Sequence, residues 1–173
     1  MLGRLMRFSG GAFFVLGSAA IMLGGLLAEQ AQADLLVHHD LPYAVALTIA
    51  HTTLESCAAK GYAVSAVVVD RDGDTIVAIR GDNAAPHTME NARRKAYTAM
   101  SFKVSTTEYA KRFADNNPVV HQQVTLPNVI AIPGGLPVKV GNEIVGGVGA
   151  SGSPGVDEPC VQAGLDEVVD QLK

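Results

Sequence analysis

The sequence has no tryptophan, only 5% aromatic residues and just two cysteines in 173 positions. Charged residues make up 17%, against 48% apolar ones. A chain this apolar buries a core, which excludes intrinsic disorder. Basic residues number 13 against 17 acidic, a formal net charge of −4, so no nucleic-acid partner is expected. There is no G-x-S-x-G elbow, Walker loop, H-E-x-x-H or C-x-x-C, so covalent hydrolysis and structural zinc have no motif behind them. No catalytic constellation is visible. The length suits a single domain.

What is present begins with a leader-like segment. Arg4 and Arg7 precede an apolar run from Phe8 to Ala28, and Ala31-Gln32-Ala33 has the small-x-small form of a secretory cleavage site. The run is long enough to span a bilayer, so a retained anchor is the other reading. Its glycines and the Ala-x-Ala exit favour cleavage. The expectation is a signal peptide over residues 1–33, cut after Ala33, and a single domain over 34–173. That domain would be periplasmic or secreted, touching a membrane only through the leader before cleavage. Loss of Arg4, Arg7 and Glu29 takes the formal charge from −4 to −5.

Export bears on Cys57 and Cys160. An oxidising compartment permits a disulfide between them. Closing a loop of about a hundred residues is worth roughly 4–5 kcal/mol in the chain-entropy model. Two buried thiols, or a sulfur ligand to metal or haem, are the alternatives.

Periodicity supplies the elements. Tyr43, Leu47, Ala50, Leu54 and Ala58 form a helical stripe over 41–61, with Asp40 as N-cap and Gly61 as stop. Tyr62–Asp70 and Thr75–Arg80 read as strands turning at Asp72-Gly73. A second helix covers Pro86–Phe102. Ser105-Thr106-Thr107-Glu108 is a capping box opening a third helix, which Asn116-Asn117-Pro118 ends. A polar loop follows, then strands at Val129–Ile132, Val138–Val140 and Glu143–Ala150, the last two a hairpin turning at Gly141-Asn142. Asp157 and Pro159 open a final helix. The order α-β-β-α-α-β-β-β-α predicts an α+β domain with an antiparallel sheet.

Two motifs are decoys. Gly147-Val148-Gly149-Ala150-Ser151-Gly152 spells G-x-G-x-x-G, but no helix opens at its glycines and no second strand follows. Close packing or a bulge explains those glycines better. Arg80-Gly81-Asp82 reads as a turn. Among the histidines, His121 and His51 are the candidate metal or haem-iron ligands, and Arg93, Arg94 and Lys95 the candidate partners for haem propionates. Structural histidines and a solvated helix face are the plainer readings of the same residues.

Four segments in fixed order carry a family resemblance. They are Val67–Gly73, Arg94–Ala99, Pro133–Val138 with Gly146–Gly152, and Asp157–Gly164. Together they resemble the GlcG/HbpS family of haem-binding proteins, also called the haem-degrading or PduO C-terminal-like family, from about Leu41 onward. The resemblance implies a profilin-like three-layer α/β/α fold with a five-stranded antiparallel sheet. It implies haem as cofactor and homo-oligomers, from dimers to octamers. Axial ligands differ between branches, threonine in one and histidine in another; here Asn128-Val129 occupies the hydroxyl position, with Thr125 and His121 as nearby substitutes. An acidic D/E-x-x-E iron motif reads Glu90-Asn91-Ala92-Arg93, its second acid lost, which argues against surface iron binding there. The functional expectation is an exported protein that binds haem or another tetrapyrrole, in haem or iron handling or sensing. The alternatives are an enzyme degrading haem or acting on a corrinoid or small organic acid, and an oligomeric structural or sensor-partner module.

Overall fold

The computed structural model describes residues 35–173; the expected leader and its cleavage site lie outside them. The elements run α1 (Tyr43–Ala58), β1 (Ser65–Asp70), β2 (Thr75–Arg80), α2 (His87–Phe102), α3 (Thr106–Ala114), α4 (Pro118–Gln123), β3 (Gly135–Val140), β4 (Glu143–Ser151) and α5 (Asp157–Glu167), with a 3-10 turn at Val169–Gln171. The strands form one antiparallel sheet in the order β2-β1-β4-β3. Among the described residues no helix is long and apolar enough to cross a membrane.

Central β1 is covered on both faces, which is why its valines are continuous rather than alternating with polar residues. Ala66 and Val68 join Val45, Ala46, Ile49 and Val161 in the core beneath α1 and α5. Val67 and Val69 join Ala92, Ala96 and Met100 of α2 on the opposite face. The glycines of β4 let α2 lie directly on the sheet. A Cβ on Gly149 would stand 2.2 Å from the Ala92 carbonyl oxygen, and one on Gly147 2.3 Å from that of Ala96.

The bridge between Cys57 and Cys160 is formed, with Cα atoms 5.5 Å apart, inside the geometric window for a disulfide. It ties the C-terminal end of α1 to the first turn of α5. Ser105 caps α3, its side chain accepting from the Glu108 amide at 3.1 Å.

Three expectations need correction. The sheet has four strands, because Val129–Ile132 is not one of them. That segment is apolar because it packs on α2, and its backbone groups are satisfied there rather than by a ladder. Ile130 N–H donates to Thr98 Oγ1 at 3.0 Å, and the Val129 carbonyl accepts from Arg94 at 2.5 Å. The loop before it contains a helix, α4: Asn117 accepts from the Val119 and Val120 amides and Pro118 takes the first helical position, so the signals that end α3 also start α4. Pro42, not Asp40, stands at the N-cap of α1, with no side-chain cap.

Candidate functional site

The start of α2 is pinned to β1 by Thr88, whose hydroxyl lies 2.8 Å from Ser65 Oγ and donates to the Ala85 carbonyl at 2.6 Å. The first two turns of α2 thereby form one wall of an open cleft of about 500 Å³. His87, Asn91 and Lys95 come from α2, Ile132 and Pro133 from the corner before β3, and Tyr62 from the turn after α1. The loop after β4 and Asp157 at the head of α5 close the other side. A second groove of about 530 Å³ adjoins it, sharing Pro133, Gly155 and Asp157. Both volumes lie in the range of small-molecule sites.

The floor of the cleft is a buried ion pair. Lys95 Nζ donates to Asp157 Oδ2 at 2.8 Å and to the Ala150 carbonyl at 2.9 Å, with side chains only 2% and 6% exposed. Asp157 Oδ1 accepts from the Ser153 amide and hydroxyl at 2.9 and 2.7 Å. Gly134 makes room for the pair: at φ +123° it holds a conformation side chains rarely adopt, and a Cβ there would meet Asp157 Cβ at 2.6 Å and Lys95 Nζ at 2.9 Å. Above this polar floor the walls are mixed: Tyr62 and Ile132, about two-fifths exposed, and Pro133 stand among Asn83, Thr88 and Asn91. His87 is exposed at the rim, and among the described residues its ring makes no side-chain hydrogen bond.

The residues singled out from sequence are not gathered in one place. Of the three α2 bases only Lys95 lines the cleft. Arg93 is clasped by Glu90 at 2.8 and 2.9 Å and reaches Asn128 at 3.0 Å. That hydrogen bond holds the Glu90 carboxyl below its ordinary range and raises Arg93. Arg94 is spent on the Val129 carbonyl. His121 lies on α4, its ring tilted on Phe113 at 4.2 Å with Nε2 3.1 Å from the Phe113 carbonyl oxygen. Thr125 follows α4 and donates to Gln122 at 2.7 Å. His51 lies on α1, across the sheet, beside Leu54, Glu55 and Ile79. Among the described residues no three His, Cys, Asp or Glu side chains are arranged to hold a metal ion. Sequence reasoning did not bring Tyr62, His87 and Ile132 together in one cleft, because no spacing rule links them.

Residues 41–166 match the family described as Haem degrading protein HbpS-like. The chain belongs to this family. A crystal structure of a double mutant of HbpS from Streptomyces reticuli is 34% identical to this HbpS-like chain, with a TM-score of 0.72 over 78% of it and 90% of the HbpS chain. A PduOC:haem complex shares the fold at 22% identity, with a TM-score of 0.66 over 74% of this chain and 94% of that one. An uncharacterized 15.0 kDa protein of Citrobacter freundii, from the dhaT-dhaS intergenic region, is 31% identical over 86 residues. That match takes in 49% of this chain and 61% of the relative, so the chain spans less than two thirds of it.

Proposed function

We propose that this HbpS-like protein is exported and binds haem, or a tetrapyrrole of similar shape, in the cleft above Lys95 and Asp157. The observation that carries the reading is a cleft of about 500 Å³ with Tyr62, Ile132 and Pro133 in its walls and His87 on its lining, an imidazole with no hydrogen bond among the described residues. Those residues suit the group: a flat macrocycle needs apolar faces, and its iron takes an axial nitrogen. Bound haem supplies that iron as a Lewis-acid and redox centre. Tyr62, Ile132 and Pro133 would shed water from the macrocycle, His87 would offer an imidazole nitrogen to its iron, and the amides of Asn83 and Asn91 would offer hydrogen bonds to its carboxylates. His121, Thr125 and His51 stand behind His87 as ligands, because the first two are engaged on α4 and the third faces away across the sheet. Export is supported by the leader-like segment and by a disulfide that an oxidising compartment permits. Homo-oligomerisation belongs to the same proposal, with exposed Val119 and Leu126 as apolar surface for a second copy to cover.

Haemin titration by absorbance tests the reading. A saturable Soret shift that His87→Ala weakens at least tenfold, and His121→Ala and His51→Ala leave intact, is the expected result. Loss in His121→Ala instead moves the ligand to α4. No saturable shift at micromolar haemin overturns the proposal. The family's description favours a second reading, haem degradation; peroxide-dependent bleaching with iron release that follows one histidine variant would establish it.

A further inference from the structure

The polar chain beneath the cleft does not stop at Asp157. Ser153 Oγ donates to Asp157 Oδ1 at 2.7 Å, and the same oxygen lies 3.3 Å from Cys57 Sγ, one half of the buried bridge. A serine hydroxyl has one proton to give. With that proton committed to Asp157, a disulfide sulfur meets Ser153 Oγ with no hydrogen between them, whereas a Cys57 thiol would donate to it. The redox state of the sulfur therefore alters the bonding of Ser153, which positions Asp157, which holds Lys95 at the floor. The loop carrying Ser153 supplies cleft wall on both sides of it, through Gly152 and Pro154. The bridge also anchors the beginning of α5, and with it Asp157, to α1. Both sulfurs are buried, so exchange proceeds through a local opening of this end of α1; exposed Lys60 places Nζ 3.7 Å from Cys160 Sγ, where an ammonium favours negative charge developing on sulfur.

We infer that the Cys57–Cys160 disulfide regulates ligand binding in the cleft through Ser153, Asp157 and Lys95, the bridged form being the binding form. This rests on the reading of the cleft as a ligand site. The reductant is a dithiol. Its thiolate attacks one sulfur and breaks the S–S bond, and its second thiol resolves the mixed disulfide. Two electrons and two protons pass to Cys57 and Cys160, and the dithiol leaves as its own disulfide. Parting the sulfurs releases the head of α5 from α1, and Asp157 and the loop after β4 loosen together.

The full chain with its bridge intact is titrated with zinc protoporphyrin, followed by fluorescence, and again after reduction by a dithiol that is removed without air. Binding is expected to weaken roughly fivefold, because the freed head of α5 no longer holds Asp157 and the loop after β4 in place. Ser153→Ala, which breaks the hydrogen-bonded link and leaves the bridge, is expected to bind about fivefold more weakly and to respond to reduction less than the wild type. Equal affinity in both redox states, or a Ser153→Ala variant that keeps the full redox response, overturns the inference. Hydrogen exchange without ligand reads the same link. The Ser153 and Asp157 amides should exchange faster on reduction while those of β1 do not change, and unchanged exchange at both also overturns it. A redox-responsive exchange with no porphyrin binding in either form would sustain the redox link and overturn the tetrapyrrole reading.

Discussion

Replacing Lys95 by methionine isolates the charge at the floor of the cleft. The aliphatic stem is kept, so packing of α2 on the β4 glycines is retained, while the ammonium and its bonds to Asp157 and Ala150 are lost. Asp157 is left buried with one oxygen bound by Ser153 and the other facing no cation. Breaking a buried pair in this way costs about 3–5 kcal/mol, because the surviving charge is neither hydrated nor compensated. The two bonds from Ser153 place the expected loss near the lower end, about 3 kcal/mol. Lys95→Met with Asp157→Asn removes both charges and should recover most of that loss, since a neutral pair of similar shape carries no such penalty. Urea unfolding of the wild type, both single variants and the double variant closes a double-mutant cycle, with a coupling of at least about 2 kcal/mol expected. A Lys95→Met loss below about 1 kcal/mol, or a double variant no more stable than the single, would refute the reasoning.

Gly149→Ala drives a methyl to within 2.2 Å of the Ala92 carbonyl oxygen, so α2 must lift from the sheet; thermal unfolding should report a loss of about 1–3 kcal/mol. Intact mass under non-reducing conditions should fall two hydrogens below that of the reduced chain. Cys57→Ala with Cys160→Ala should cost up to about 4–5 kcal/mol in chemical denaturation, from a loop of 103 residues. Acid should free the segment before α1. His39 holds Glu143 below the ordinary carboxylate range through a 2.7 Å side-chain bond and a 3.1 Å backbone bond. A lowered folded value means the contact is complete above the ordinary carboxylate range and is lost as pH falls through the lowered value. Histidine and glutamate NMR shifts that change together in that window would show it, and Glu143→Gln should abolish the change.

Much of the fold could be read from local chemistry. The span of α1, the Asp72-Gly73 and Gly141-Asn142 hairpins, the Ser105 cap and the opening of α5 at Asp157 each depend on neighbours a few residues away. The buried face of α1 was misplaced: it runs through Val45, Ala46, Ile49, Ala50, Thr53 and Cys57, and Tyr43 and Ala58 of the expected stripe are exposed. Family membership was equally legible, because segment order and spacing survive in one dimension. Val129–Ile132 was misread for a physical reason: burial makes a chain apolar whether it pairs with a strand or lies on a helix. Only Thr98 and Arg94, some thirty residues earlier in sequence, decide which.

Local sequence thus determined most of the segments that curl, extend and turn, and that two cysteines were available to bridge. Tertiary structure alone decided where the chemistry sits. Arg93, Arg94 and Lys95 are consecutive, yet helical rotation sends the first to Glu90 and Asn128, the second to the Val129 carbonyl and the third beneath the cleft. Tyr62, His87 and Ile132 are spread over some seventy residues and meet because α2 settles on a glycine face of β4. Local propensity acts over a turn or two of chain, whereas a binding site is made by contacts between segments that only the packed core brings together.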